Sequence, residues 1–348
     1  VGVWRLSVGQ ARQRQGRDVS GMQHPTLDRL KAEANSAIDA FLERWPKGSA
    51  DGLYDPIHYL MSIGGKRLRA VLALSAAEAE GHDAQLAHPA ALAVELFHNF
   101  TLMHDDIMDQ APKRRGNATV HMKWDENAAI LSGDAMYTLA QIALADTSSK
   151  DLPRALTIFN QTALEVCIGQ QSDMDFERRD DVTVEAYMEM IRLKTSVLVA
   201  ASLALGAIAV GASEERVRLW YEAGEQLGLA FQMQDDLLDA FGGDAMGKQI
   251  GGDILSNKKT FLRLHTWEQA NSDMLGALKQ WDEITDQPKE KVEFVKSAMV
   301  ACGADTAAQL RMNEHVDRAM SAIDALELEA SHRKWFGFLG GLVTQRTS

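Results

Sequence analysis

Apolar residues recur along this chain at the spacing of helix faces and almost nowhere with the alternation of strands. Leu30, Ala34, Ile38 and Phe41 fall on one side of residues 27–45, a three-to-four-residue recurrence that predicts an amphipathic helix. A polar loop follows at 47–52, and Asp55-Pro56 marks a helix start with proline in the first turn. Tyr59, Leu60 and Ile63 lead to a Gly64-Gly65 break, with Lys66, Arg67 and Arg69 directly after it. Helices are expected over 68–80 and over 89–109, and the basic stretch 111–125 is expected as a loop. Further helices are expected over 127–144, 153–176 and 185–194, the last running through Thr195 into the apolar segment 197–212. A long helix over 214–241 carries Gly224 and Gly228 one turn apart, which would let a neighbouring backbone approach closely. Residues 242–259 are glycine-rich, and the remainder to about 338 is helical.

Composition agrees with this pattern. Only 7 prolines occur, and the long stretches favour Ala, Leu, Glu, Met and Gln, which are good helix formers. The expected fold is therefore all-α. No linker or short repeat divides residues 22–348, which are expected to form one domain. Residues 1–21 begin on Val, carry arginines without a core pattern, and read as a disordered tail or an upstream extension of a gene starting at Met22. The uncharged segment 197–212 falls short of the roughly 20 residues a membrane span needs, so a buried core helix and no span are expected. Cys167 and Cys302, the only cysteines, are too few for a disulfide framework, which fits a cytoplasmic setting. The net charge of −13 disfavours nucleic acid. It also repels any small anion, so an anionic substrate needs a locally built cationic site.

Two acidic stretches dominate the candidate chemistry, Asp105-Asp106-Ile107-Met108-Asp109 and Asp235-Asp236-Leu237-Leu238-Asp239. Each follows an apolar run, and in a helix the first and last aspartates of each share a face. One copy alone passes for a solvated acidic helix end. Two copies point to a divalent cation, and carboxylate oxygens suit Mg²⁺, which keeps waters and is completed by substrate phosphates. Cationic clusters lie near glycine breaks or these motifs: Lys66 with Arg69, Arg114 with Arg115, Lys194, and Lys248 with Lys258. Arginine offers a fork that matches phosphate oxygens and lysine a mobile point charge. No Walker-type loop is present, and no serine or cysteine nucleophile with a paired histidine stands out. Metal-binding carboxylates, cationic clusters and an apolar helical body together suit a substrate with a diphosphate head and a hydrocarbon tail.

With these residues the chain resembles the isoprenyl (polyprenyl) diphosphate synthases, short-chain type, geranylgeranyl or farnesyl diphosphate synthase-like. The matching segments run in order. They are Gly64-Gly65-Lys66-Arg67-Leu68-Arg69, the first aspartate motif with Arg114-Arg115-Gly116, Gly169-Gln170 with Asp173, Lys194-Thr195, Phe231-Gln232 before the second motif, and Gly247-Lys248 through Asp253 to Lys258. The resemblance implies a helical bundle around a deep central cavity, as a homodimer. It implies Mg²⁺ (three ions once both motifs and substrate are engaged) on Asp105, Asp109 and Asp235, with Asp106, Asp236 and Asp239 as further ligands or their supports. It places allylic diphosphate (dimethylallyl, geranyl or farnesyl) on Arg114, Lys194, Lys248 and Lys258, and isopentenyl diphosphate on Lys66, Arg69, His98 and Arg115. His98 lies seven residues before Asp105, on nearly the same helical face, though a lone histidine on an apolar face is as readily a core group. Lys194, Thr195 and Gln232 would stabilise a carbocation during 1′-4 condensation.

Product length in this family depends on the residues before the first motif. One helical turn, roughly 5.4 Å, matches about one C5 unit, so a bulky side chain a turn below the metals should stop the tail. Phe100 with the small Thr101 suggests C20, then C15. Helical arithmetic puts Thr101 under Asp105, and Phe100 as the floor comes from the resemblance. Ala70 stands where the family often has proline, and the first motif has no inserted residues. A class I terpene cyclase shares an aspartate motif and Mg²⁺ but has no need of a second diphosphate site. A noncatalytic partner subunit would be expected to have lost the second motif or the basic groups, all of which this chain keeps.

Overall fold

A computed structural model of the chain describes residues 24–148, 150–242 and 251–344; the expectations for 1–21 and for Lys248 lie outside them. The elements in order are α1 (Pro25–Leu42), α2 (Asp55–Ser62), α3 (Leu68–Ala79), α4 (His88–Met108), strands β1 (Lys113–Arg114) and β2 (Asn117–Ala118), α5 (Val120–Lys123), α6 (Glu126–Leu144) and α7 (Leu152–Glu177). Then come α8 (Val184–Ile191), a π-helical segment (Arg192–Ser196), α9 (Val197–Ala209), α10 (Glu214–Phe241), α11 (Gly252–Leu255), α12 (Phe261–Gln269), α13 (Ser272–Glu283), α14 (Pro288–Ala301), α15 (Ala304–Ala325) and α16 (Ala330–Thr344). The all-α expectation holds. Starts follow the local chemistry: Pro89 opens α4, Asp125 accepts from the Ala128 amide at 2.8 Å to cap α6, and Ser213 caps α10 with Glu214 and Glu215 in its first turn.

Two features differ from the expected elements. The 111–125 connector is not a plain loop: Lys113 and Arg114 pair antiparallel with Ala118 and Asn117 around a left-handed Arg115-Gly116 turn, and α5 follows. The helix runs on from Val184 to Ala209 as expected, but taken whole, unlike the 197–212 segment alone, it is by length and composition long and apolar enough to cross a membrane. Here it is a core element, with 78% of its most apolar window buried inside the protein.

α9 is the axis of the bundle. Every residue from Val197 to Ile208 is buried, the pattern of a helix apolar on all sides. Its neighbours approach to backbone contact. A Cβ on Gly224 would lie 2.6 Å from the Ala200 Cα, and one on Gly228 would lie 2.6 Å from the Ser196 Cα, so the Gly224/Gly228 expectation describes the α10–α9 crossing. Gly206 faces the Ala73 carbonyl of α3 in the same way. One apolar cluster fills the space among α1 to α7, α9 and α16, a second gathers α8 and α11 to α14, and α7, α10 and α15 contribute to both. Trp220, fully buried, donates through Nε1 to Glu80 at 2.6 Å, and Arg216 holds the same carboxylate at 2.7 Å.

Gly206→Ala drives a methyl group into the Ala73 carbonyl, backbone against backbone, so neither side can yield by changing rotamer. Urea unfolding of this variant should show a loss of about 1–3 kcal/mol; an unchanged midpoint would mean that α3 and α9 are not packed this closely.

Candidate active site

The two acidic motifs sit at the C-terminal ends of α4 and α10, and the fold treats their members differently. Asp106 is 2% exposed and is gripped by Arg114 from the ribbon, Nε at 3.0 and 2.9 Å and Nη2 at 2.7 Å. Asp236 is 4% exposed: the Gln232 amide donates to Oδ1 at 3.1 Å, and the Tyr187 hydroxyl donates to Oδ2. Burial pushes Asp236 up to about 7, opposed by these two donors and reinforced by Asp253. Asp239 accepts the Asp253 amide at 2.9 Å, and its carbonyl accepts the Gly251 amide at 2.8 Å, so it anchors the chain leading to Lys258.

Asp105 and Asp109 have no side-chain hydrogen bond among the described residues. Burial raises the Asp105 pKa, with Asp109 and Asp106 adding to it and Lys194 and Arg114 opposing. The six aspartates expected as metal ligands therefore divide. Asp106, Asp236 and Asp239 are committed to internal hydrogen bonds, whereas Asp105 and Asp109 are not. No three acidic, histidine or cysteine side chains among the described residues are grouped to cage an ion alone. That arrangement suits Mg²⁺, which takes one or two carboxylates and is completed by waters and phosphate oxygens.

Cations lie between the motifs. Lys194 reaches Asp173 at 2.5 Å, and its charge is the strongest opposing influence on Asp105. Lys258 has an exposed side chain; the protein around it lowers its pKa by desolvation, but Asp173, Asp253, Asp236 and Asp109 together outweigh this and raise it. One lysine in the field of both motifs shows that the motifs face each other. Lys194 and Thr195 belong to the π-helical segment, where one extra residue per turn redirects side chains. Gly169 of α7 lies against the Leu193–Lys194 backbone, with no space for a Cβ. Thr195 Oγ1 donates to Gln232 Oε1 at 3.3 Å, which links the segment to Asp236.

A second cationic group forms across the Gly64-Gly65 break. Arg115 donates to the Gly64 carbonyl, and its guanidinium fills the space where a Gly65 Cβ would stand, at 2.9 Å. Tyr59 ties α2 to the ribbon through the Ala118 carbonyl at 2.7 Å, with Lys123 over its ring at 3.9 Å. Burial pulls Arg69 down to about 10, with Glu95 opposing and Arg115 reinforcing. His98 sits well below the ordinary histidine range, first from burial and then from Arg69, Arg115, Arg114 and Arg67. Burial and these positive charges both disfavour its protonated form. Lys66 is exposed at the rim.

Phe100 packs against Phe97, His104 and Tyr137, centroids at 5.4, 4.7 and 5.4 Å, and Thr101 is half-buried with its hydroxyl on the His98 carbonyl at 2.8 Å. Sequence reasoning gave no role to Tyr187, although it lies seven residues before Lys194 and so on the same helical side. It also left Asp173 without a partner.

The polyprenyl synthetase family profile matches residues 50–302. The chain is 41% identical over 246 residues to a geranylgeranyl diphosphate synthase of Methanosarcina mazei, covering 70% of this chain and 76% of that one. It is 39% identical over 250 residues to a geranylfarnesyl diphosphate synthase of Natronomonas pharaonis, covering 66% and 73%. The crystal structure of a geranylgeranyl pyrophosphate synthetase from Pyrococcus horikoshii superimposes with a TM-score of 0.86 at 32% identity, covering 92% of this chain and 98% of that one.

Because its pKa lies well below the usual value, His98 stays uncharged through neutral pH. Its ring carbon-bound proton resonances, assigned by loss in His98→Gln, should not titrate between about pH 5.5 and 8; a midpoint near 6.5 would place the ring in water rather than among the arginines.

Proposed function

The chain belongs to the polyprenyl synthetase family and is a prenyltransferase that makes short-chain prenyl diphosphates; within that activity we propose a Mg²⁺-dependent 1′-4 condensation of isopentenyl diphosphate with an allylic diphosphate, giving a C20 product, with C15 next. The observation that carries this is the pair of separate cationic groups, one between the aspartate motifs and one across the glycine break. Two anionic heads need two such sites, whereas a cyclase needs one.

Asp105, Asp109 and Asp235 would hold Mg²⁺, with Asp106, Asp236 and Asp239 keeping the helix ends in place. The bound ions supply charge neutralisation at a departing diphosphate. Arg114, Lys194 and Lys258, with Lys248, take the allylic diphosphate; to do so Arg114 shares its fork with Asp106. Lys66, Arg69, His98 and Arg115 take isopentenyl diphosphate, the neutral His98 ring acting as a hydrogen-bond donor.

The allylic C1–O bond breaks, and its electron pair leaves with the diphosphate. The isopentenyl double bond then attacks C1 through its C4, and a C2 proton passes to the released diphosphate. Through these steps Thr195, Gln232 and the Lys194 carbonyl present oriented dipoles to the cation, electrostatic stabilisation fixed before the charge appears. Phe100, buttressed by Phe97 and Tyr137, sets the floor of the hydrocarbon site with Thr101 above it. Exposed Ile130 and Leu131 on α6 and Leu164 and Ile168 on α7 supply an apolar face for a second copy, which supports a homodimer. The buried Val184–Ala209 helix favours a cytoplasmic protein with no membrane span.

Incubation with labelled isopentenyl diphosphate and dimethylallyl, geranyl or farnesyl primers, followed by chromatographic sizing, tests this directly. Label should enter chains up to C20, and Phe100→Ala should lengthen them by one or more C5 units. Cyclised product without label incorporation, or activity that depends on a second polypeptide, would contradict the proposal.

A further inference from the structure

Between two of the cations assigned to isopentenyl diphosphate, Lys66 and Arg69, lies one that the fold has turned inward. Arg67 is 6% exposed, and its three guanidinium nitrogens go to three different elements. Nε donates to Asn35 Oδ1 of α1 at 3.0 Å, Nη1 to Glu95 Oε1 of α4 at 3.1 Å, and Nη2 to the Met61 carbonyl of α2 at 2.6 Å. Its own carbonyl accepts the Val71 amide at 2.9 Å and so starts α3. One residue thus joins four helices.

The backbone at this residue is unusual. Arg67 has φ +51°, a left-handed conformation that a residue with a Cβ adopts only when its surroundings hold it there. The turn separates side-chain directions within the short 66–69 run. Lys66 is exposed, Arg67 points into the bundle, and Arg69 stands half-buried, its charge acting on His98. Glu95 lies three residues before His98 on α4, on the same side of that helix. It serves two cations, bonding Arg67 directly and acting as the principal opposing charge on Arg69. Asn99, fully buried, donates to the Glu95 carbonyl at 2.8 Å and to Oε1 at 3.3 Å, which fixes the carboxylate.

An ion pair buried purely for stability needs none of this, and such pairs are weak contributors to stability in any case. A strained turn held by a three-way arginine, placed between two binding groups, is the arrangement expected of a positioning device. We propose that Arg67 is a positioning residue for the isopentenyl diphosphate site. Clamped on Asn35, Met61 and Glu95, it holds the left-handed turn that sets Lys66 and Arg69 against His98 and Arg115. The inference rests on the assignment of that cationic group to isopentenyl diphosphate.

Steady-state kinetics of the full chain test it with three variants. Arg67→Lys keeps the charge but lacks the planar fork that spans three partners. It should raise KM for isopentenyl diphosphate by about tenfold while KM for the allylic primer and kcat stay within about twofold. Asn35→Ala, which removes the anchor on α1, should move the same constant in the same direction by less. It carries the test alone if circular dichroism shows Arg67→Lys to be unfolded. Lys66→Ala tests the underlying assignment and should raise the same KM. Folded Arg67→Lys or Asn35→Ala with KM unchanged, beside a Lys66→Ala that raises it, would overturn the inference and leave the site assignment standing. An unchanged KM in Lys66→Ala would overturn the assignment itself, and equal effects on both substrates would reduce Arg67 to a general structural role.

Discussion

Carboxylates at the wrong ends of helices are the constraint on which the rest of this structure depends. The C-terminus of a helix carries about half a negative charge, and each acidic group placed there costs roughly 0.3–1 kcal/mol where a cation would be favourable. α4 and α10 both end in three aspartates, and the two ends face each other. The fold offsets part of this within the chain. Arg114 closes over Asp106, Tyr187 and Gln232 close over Asp236, and Asp239 is occupied by backbone amides. Asp105, pushed up by burial and by its neighbours, remains short of positive charge, and that residue of unneutralised charge is what a divalent ion with a bound diphosphate would complete.

Bringing the two ends together requires backbones that nearly touch. α10 crosses α9 at Gly224 and Gly228, and α7 meets the π-helical segment at Gly169. These contacts aim the Lys194–Thr195 pair between the motifs and set it beside Gln232. Net charge of −13 works against any diphosphate approaching the surface, so affinity has to come from local groups. Both cationic groups are built on breaks in helical geometry, one on the π-helical segment and one on the Gly64-Gly65 turn, where side chains can be aimed away from the helix surface.

Much of this was legible from the residues alone. The 3.6-residue period placed the long helices to within a residue or two at most ends, and both aspartate motifs fall at helix ends, as their apolar approaches implied. Three things were not legible, each for a physical reason. The ribbon at 113–118 has two-residue strands, too short for alternation to register, and depends on Arg115 in a left-handed turn bonding to Gly64. The π-helical segment differs from its flanks by one residue in a turn, and the residues Arg192 to Ser196 suit either winding. The bracing of Asp106 and of Asp236 depends on partners outside their motifs, with Arg114 eight residues after Asp106 and Tyr187 forty-nine before Asp236. Spacing alone treats the three aspartates as equals.

The thermal unfolding midpoint of the full chain, taken with Mg²⁺, with inorganic diphosphate, and with both, addresses the shared clamp most directly. Ligands that bind only the folded state raise the midpoint, so the two together should raise it by more than the sum of the separate shifts in the unaltered protein, and Asp105→Ala should abolish the excess while remaining folded. No joint shift in the unaltered protein, or an undiminished one in Asp105→Ala, would contradict a metal-diphosphate clamp closed by the two helix ends.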